Sequence, residues 1–200
     1  MRLADKYRPQ TWAQVAGQEK TLARLESLRR TGGISGRVYF LSGGSGTGKT
    51  TIAKLIAAEV ADSWAVTEID GARLNAATVA ELAREKSQRP FGRGSCLIVN
   101  ECHLIRSALV SGLLDVLEGL PAWITVVLTT TSEAKAELFD AHLDADPFLS
   151  RCEVLPLSRR DLCRPFAERA LEIARAEGLD GQPLAKYEAL LKLHRNNLRA

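Results

Sequence analysis

The stretch "GGSGTGKT", residues 43–50, constrains this chain more than any other. It fits the pattern G-x-x-x-x-G-K-[ST]. An apolar run, "RVYFLSG" (37–43), leads into it, and "TIAKLIAAEV" (51–60) follows with Ile52, Leu55, Ile56 and Val60 at helical spacing. Strand, glycine-rich turn and helix in that order make a cradle for phosphate. Glycines let successive backbone N–H groups turn inward, and the helix points its positive dipole end at the anion. Lys49 reaches the β and γ phosphates, and the Thr50 hydroxyl offers a position on Mg²⁺. Gly43, Gly44, Ser45, Gly46, Thr47, Gly48, Lys49, Thr50 and Thr51 are therefore the candidate nucleotide-binding residues.

The remainder alternates strand and helix signals, which predicts an α/β fold with a parallel sheet flanked by helices on both faces. "WAVTEID" (64–70), "SCLIVN" (95–100), "WITVVLTT" (123–130) and "CEVLPL" (152–157) are the further strands, five in all with the first. A polar helix is expected from Asn75 to Lys86. Another runs between Arg106 and Gly119, with Leu109, Leu113, Val116 and Leu117 on one face. After Pro156 only amphipathic helices follow. The chain divides on this reading into an α/β core over 1–157 and a small all-α unit over 158–200, too small to stand well alone.

Hydrophobic content of 46% beside 26% charged residues excludes a disordered chain. A net charge of +3 is too small to imply nucleic-acid binding by itself. Five bases, Arg73, Arg84, Lys86, Arg89 and Arg93, nevertheless surround the third helix, where they could meet a phosphate backbone or simply form a solvated face beside Glu81 and Glu85. The four cysteines, Cys96, Cys102, Cys152 and Cys163, lack C-x-x-C spacing and read as reduced, buried thiols, so neither zinc nor disulfides are expected. The amino terminus has no apolar signal region, and no apolar run approaches a membrane span, so a cytoplasmic protein without a membrane partner is expected.

Taken in order, "KYRPQTWAQVAGQE" (6–19), the phosphate loop, "LIVNE" (97–101), "LTTT" (128–131), "SRC" (150–152) and "NNLR" (196–199) resemble the clamp-loader ATPases of the AAA+ superfamily, most of all the replication factor C small subunit and phage-type loaders. The resemblance implies ATP and Mg²⁺ as cofactors, an α/β core with a helical lid, and a homo- or hetero-oligomeric ring that acts on DNA and a sliding clamp. It places Tyr7, Arg8, Pro9, Val15 and Gly17 around the adenine. It makes Glu101 the residue that activates water, Thr131 a sensor beside the γ-phosphate, and Arg151 a finger reaching into a neighbouring subunit's nucleotide. Arg199 is implied as a second sensor on the lid. Family members continue into a helical collar domain, and here the sequence ends at Ala200.

Position 100 departs from the pattern. Where the family has an acid that helps hold Mg²⁺, this chain has Asn100, which offers one neutral acceptor oxygen and an NH₂ that repels a cation. Asn100 and Thr50 are the expected metal-facing residues. Slow, assembly-dependent ATP hydrolysis is the favoured reading, because Glu101 is retained. A nucleotide-sensing scaffold with little turnover, and a Holliday-junction or helicase-loading motor on the same fold, are the alternatives.

Overall fold

The apolar runs of the sequence become strands because they are short and, in the first four, rich in β-branched or aromatic residues. They are β1 (Val38–Gly43), β2 (Val66–Asp70), β3 (Ser95–Asn100), β4 (Ile124–Thr130) and β5 (Cys152–Leu157). The structure, a computed structural model, describes residues 2–89, 91–131, 149–179 and 181–198. All five strands pair in parallel in the order β2-β3-β4-β1-β5, so β1 lies between β4 and β5 with its carboxyl end well inside the sheet.

Helices cover both faces, as a parallel sheet requires. They are α1 (Leu3–Lys6), α2 (Glu19–Thr31), α3 (Lys49–Val60), α4 (Ala76–Ser87), α5 (Ser107–Leu117), α6 (Cys163–Ala176) and α7 (Leu184–Leu193). Alternate residues of the strands point to opposite sides. Tyr39, Leu41, Ile98, Val127 and Leu155 pack with Leu25 and Leu28 of α2 and Ile52 and Ile56 of α3. Phe40, Val99, Val126 and Leu128 meet Leu82 of α4 and Leu113, Val116 and Leu117 of α5 on the other side. Each such side chain contributes about 1.5–3 kcal/mol on burial, which is why the central strands tolerate no charge. Asn75 begins α4 by accepting a hydrogen bond from the Thr78 amide at 3.0 Å, the N-cap its sequence position suggests.

After Leu157 the described residues form helices only. Leu162, Phe166 and Ala167 pack against Leu191, with Ala16 and Leu198 added from the two ends of the chain. Among the described residues this third cluster has four buried members, so the α6–α7 pair depends on contacts with the rest of the molecule. No helix among the described residues is long and apolar enough to cross a membrane. Cys96 and Cys102 are buried as expected, while Cys152 and Cys163 are only partly so. Burial pushes the Cys96 and Cys152 thiols up to about 12, leaving them inert as nucleophiles at neutral pH.

Candidate nucleotide site

The glycine-rich loop leaves the carboxyl end of β1 and enters α3 at Lys49, so the first amides of α3 face the same space as the loop. Ser45, Gly46, Gly48, Lys49 and Thr50 line a small polar cleft, and Glu101 and Thr131 close it from the ends of β3 and β4. Gly46 and Gly48 sit at φ +79° and +101°, in the left-handed region that side chains disfavour. Gly43 is required by space: a Cβ there would lie 2.6 Å from the Leu157 carbonyl oxygen. Lys49 is 8% exposed, and its ammonium donates to the Gly43 and Gly44 carbonyls at 2.8 and 3.0 Å. With three donors it can exchange these contacts for phosphate oxygens as charge arrives. Thr47 turns its hydroxyl to the Gly44 carbonyl at 2.9 Å, and Thr51 lies in the first turn of α3. Loop, dipole and lysine together fit a triphosphate, and the Thr50 hydroxyl stands in the same cleft for a cation that the phosphates carry.

Two residues that sequence reasoning did not single out support the loop. Gln18 is buried in the left-handed region at φ 65°, and its amide nitrogen donates to the Thr47 carbonyl at 3.2 Å and the Ser158 carbonyl at 2.9 Å. Its oxygen accepts from the Ser158 amide at 3.1 Å, so one side chain ties the phosphate loop to the segment after β5. Arg159 donates to the Ser45 carbonyl at 3.0 Å and lies so close over Gly44 that a Cβ there would be 2.4 Å from its Nε. Asn196 reaches back to the Arg159 carbonyl at 3.0 Å, which brings the end of the helical segment onto the loop. The glutamine lies inside the "KYRPQTWAQVAGQE" segment that carried the resemblance, but its partners are 29 and 140 residues away in the chain, so no local signal shows what it ties together.

Asn100 ends β3 and Glu101 turns away at φ 49°. The Asn100 Nδ2 donates to Glu68 on β2 at 2.8 Å, and its Oδ1 accepts from the Thr129 hydroxyl at 3.2 Å. Glu68 can only accept, so it fixes which way the amide faces. Glu68 is also paired with Lys54 of α3 at 2.9 Å. The Glu101 amide in turn donates to Thr129 Oγ1 at 3.4 Å. Its carboxylate lies 3.5 Å from His103 Nδ1, which is 3.1 Å from Thr130 Oγ1. Of the expected metal-facing pair, Thr50 is in the cleft, while Asn100 is held by hydrogen bonds along the strand ends.

Arg151 lies far from this cleft. Val38 pairs with Cys152 and Gly43 with Leu157, so Arg151 stands at the amino edge of the sheet and the phosphate loop at its carboxyl edge. Six residues of strand separate them, about 20 Å at ~3.3 Å per residue. Its guanidinium is ion-paired with Glu118, holding that carboxyl below its ordinary value.

The profile of the "ATPase family associated with various cellular activities (AAA)" matches residues 39–154, from the start of β1 into β5. The chain belongs to the AAA family. DNA polymerase III subunit tau of Salmonella typhimurium is 30% identical over 184 residues, 80% of this chain and 27% of that protein. DNA polymerase III subunit gamma/tau of Mycoplasma genitalium is 31% identical over 216 residues, 94% of this chain and 33% of its own length. This AAA chain thus spans about a quarter to a third of the curated relatives it matches. These relatives carry DNA polymerase III tau and gamma/tau names, where the sequence most resembled replication factor C and phage-type loaders. Among solved structures, variants of Thermotoga maritima RuvB superpose with TM-scores of 0.71 and 0.73 at 24% and 23% identity, covering 96% and 97% of this chain and 62% of theirs. At that identity the likeness concerns the AAA+ fold alone.

The amino-terminal segment of this AAA chain lies against α6 and, through Trp12, against Glu59 of α3. The Tyr7 carbonyl accepts from Arg169 at 3.3 Å, Lys6 pairs with Glu177 at 2.5 Å, and Arg8 pairs with Asp5 at 2.6 Å. Pro9 is half-buried, and Val15 and Gly17 follow the turn formed by Trp12–Gln14. Gly17 has φ +68°, and a Cβ on it would lie 2.3 Å from Leu162. Arg199 lies outside the described residues.

The five bases around the third helix do not share one surface. Arg73 follows β2 at the carboxyl edge of the sheet, whereas Arg84 and Lys86 end α4 at the opposite edge. Arg93 caps α3 instead, donating to the Ala58 and Ala61 carbonyls at 3.2 and 2.8 Å and pairing with Asp62 at 3.0 Å. The Lys86 ammonium is held by the Glu118 carbonyl at 2.5 Å. Arg73 is set apart from the others because α4 separates its two ends by its whole length.

Proposed function

We propose that this chain binds ATP with Mg²⁺ in the cleft beside α3 and hydrolyses it when an adjacent subunit supplies Arg151, using the cycle to load or remodel a replication or repair complex on DNA. The observation that carries this reading is the division of the machinery between two edges of one sheet. Lys49, Thr50, Glu101 and Thr131 meet at the carboxyl edge, and Arg151 stands about 20 Å away, where only another subunit's nucleotide can meet it. Glu101 orients the attacking water and draws its proton, and Thr131 donates to the water or the γ-phosphate. Arg151 neutralises charge as it builds in the transition state. Mg²⁺, when bound, screens the phosphate oxygens. Tyr7, Arg8, Pro9, Val15 and Gly17 enclose the adenine, and residues 158–200 act as a helical lid that carries Arg199. DNA and a sliding clamp are the proposed partners, in keeping with the DNA polymerase III names of the relatives.

Steady-state ATP hydrolysis across protein and Mg²⁺ concentration tests this. Turnover per chain should rise with protein concentration and fall by about a hundredfold or more in Glu101→Gln and in Arg151→Ala, with ATP affinity retained. A rate independent of concentration and unaffected by Arg151→Ala would refute it.

One observation favours a second reading, a scaffold that senses nucleotide without useful turnover. The amide of Asn100 is turned to Glu68 and Thr129 and brings no charge to the metal. ATP binding with no turnover until Asn100→Asp is introduced would establish that reading.

A further inference from the structure

A second cavity, of about 440 Å³, opens at the amino edge of the sheet, away from the nucleotide cleft. Arg37, Glu118, Arg151 and Glu153 line it. Val38 and Cys152 are register partners on adjacent parallel strands, so the residues before them, Arg37 and Arg151, start side by side, about 5 Å apart at the backbone. Arg37 donates to the Gly33 carbonyl at 3.1 Å and reaches Glu153 at 3.3 Å. Glu153 is shared with Arg24 at 2.8 Å, and Glu118 is taken by Arg151. Among the described residues Arg37 and Arg151 thus line the cavity beside Glu118 and Glu153, with Arg24 sharing Glu153 from outside it, and the cavity has room for an anion. A terminal phosphate, with more charge and three oxygens, competes well for these partly exposed guanidiniums. Glu118 and Glu153 flank the two cations, so a group received there must be compact and charged enough to displace them. That requirement suits one phosphate group better than the extended backbone of a nucleic acid.

We propose that Arg37 is a second cation acting in trans: with Arg151 it forms the groove that receives the triphosphate end of the nucleotide held by an adjacent copy of this chain. The inference rests on the interface reading above and adds a residue to it. Arg151 would meet the γ-phosphate, and Arg37 would hold the same group from the neighbouring strand. A lysine in its place keeps the charge and loses the fork.

Mixing variants tests it. Lys49→Ala disables a chain's own cleft but leaves both arginines to offer, and Arg37→Ala keeps its cleft but offers one cation fewer. Each alone should turn over ATP at least about tenfold more slowly than the parent. With Lys49→Ala in excess, the Arg37→Ala clefts should recover to within about threefold of the parental rate per intact site, and Arg37→Lys alone should fall between parent and Arg37→Ala. Arg37→Ala that stays slow in the mixture acts within its own chain, through Gly33 and Glu153, and overturns the proposal. So does Arg37→Ala at the parental rate while Arg151→Ala is slow and complemented. If Arg151→Ala itself is as fast as the parent, the interface reading falls and this inference falls with it. Thermal melting of each variant separates a misfolded chain from a missing cation, and Arg37→Lys keeps the test open should Arg37→Ala not fold.

Discussion

Glu59 illustrates how much one side chain of this protein holds together. Arg29 grips it with two donors at 2.8 Å each, the Trp12 indole donates to it at 2.9 Å, and the same guanidinium lies 4.7 Å from the Trp12 ring centre. Arg29 first, and the indole after it, hold the Glu59 carboxyl below its ordinary value of 4.5. A depressed carboxylate contributes stability that is present above its unfolded pKa and is lost as pH falls through its folded one. Urea unfolding should therefore find Glu59→Gln less stable than the parent at neutral pH, with the gap closing as pH drops below 4.5. A gap that persists unchanged at about pH 3 would mean the charge is not what matters. Asn100 teaches the complementary lesson at this scale: an amide has a direction, and Glu68 decides it.

Among the elements, strand content and helix faces were legible because each obeys one local periodicity. "SCLIVN" is β3 residue for residue, and the polar helix read from Asn75 is α4 with Asn75 as its cap. Replacing that cap with alanine should cost about 1 kcal/mol, seen as a lower urea midpoint with unchanged slope. No change would show that water or a neighbouring residue satisfies the Thr78 amide equally well. The short helix at Leu3–Lys6 was not legible, since four residues carry no period, and its placement beside α6 comes from the Lys6 and Tyr7 contacts.

At the scale of the whole molecule, three distant parts of the chain converge on one loop: Gln18, the Ser158–Arg159 pair, and Asn196 with its neighbour Asn197. Gly17 is the hinge of that convergence, left-handed and in contact with Leu162. Gly17→Ala should destabilise the fold by about 2 kcal/mol through strain and overpacking. Because Gln18 follows it, ATP affinity should weaken as well. Equilibrium unfolding beside an ATP titration checks both, and a variant that matches the parent in each would show that the docking of α6 and the phosphate loop are independent.

The sequence alone determined the class of fold, the order of its elements and the phosphate loop, because periodicity and glycine spacing act over a few residues and need no partner. The strands' neighbours, the tie of Gln18 to the loop, the orientation of Asn100 and the placing of Arg151 beside Arg37 were decided only by the tertiary structure. Each depends on which strands lie side by side, and parallel strands are joined through crossovers that bring together residues dozens of positions apart.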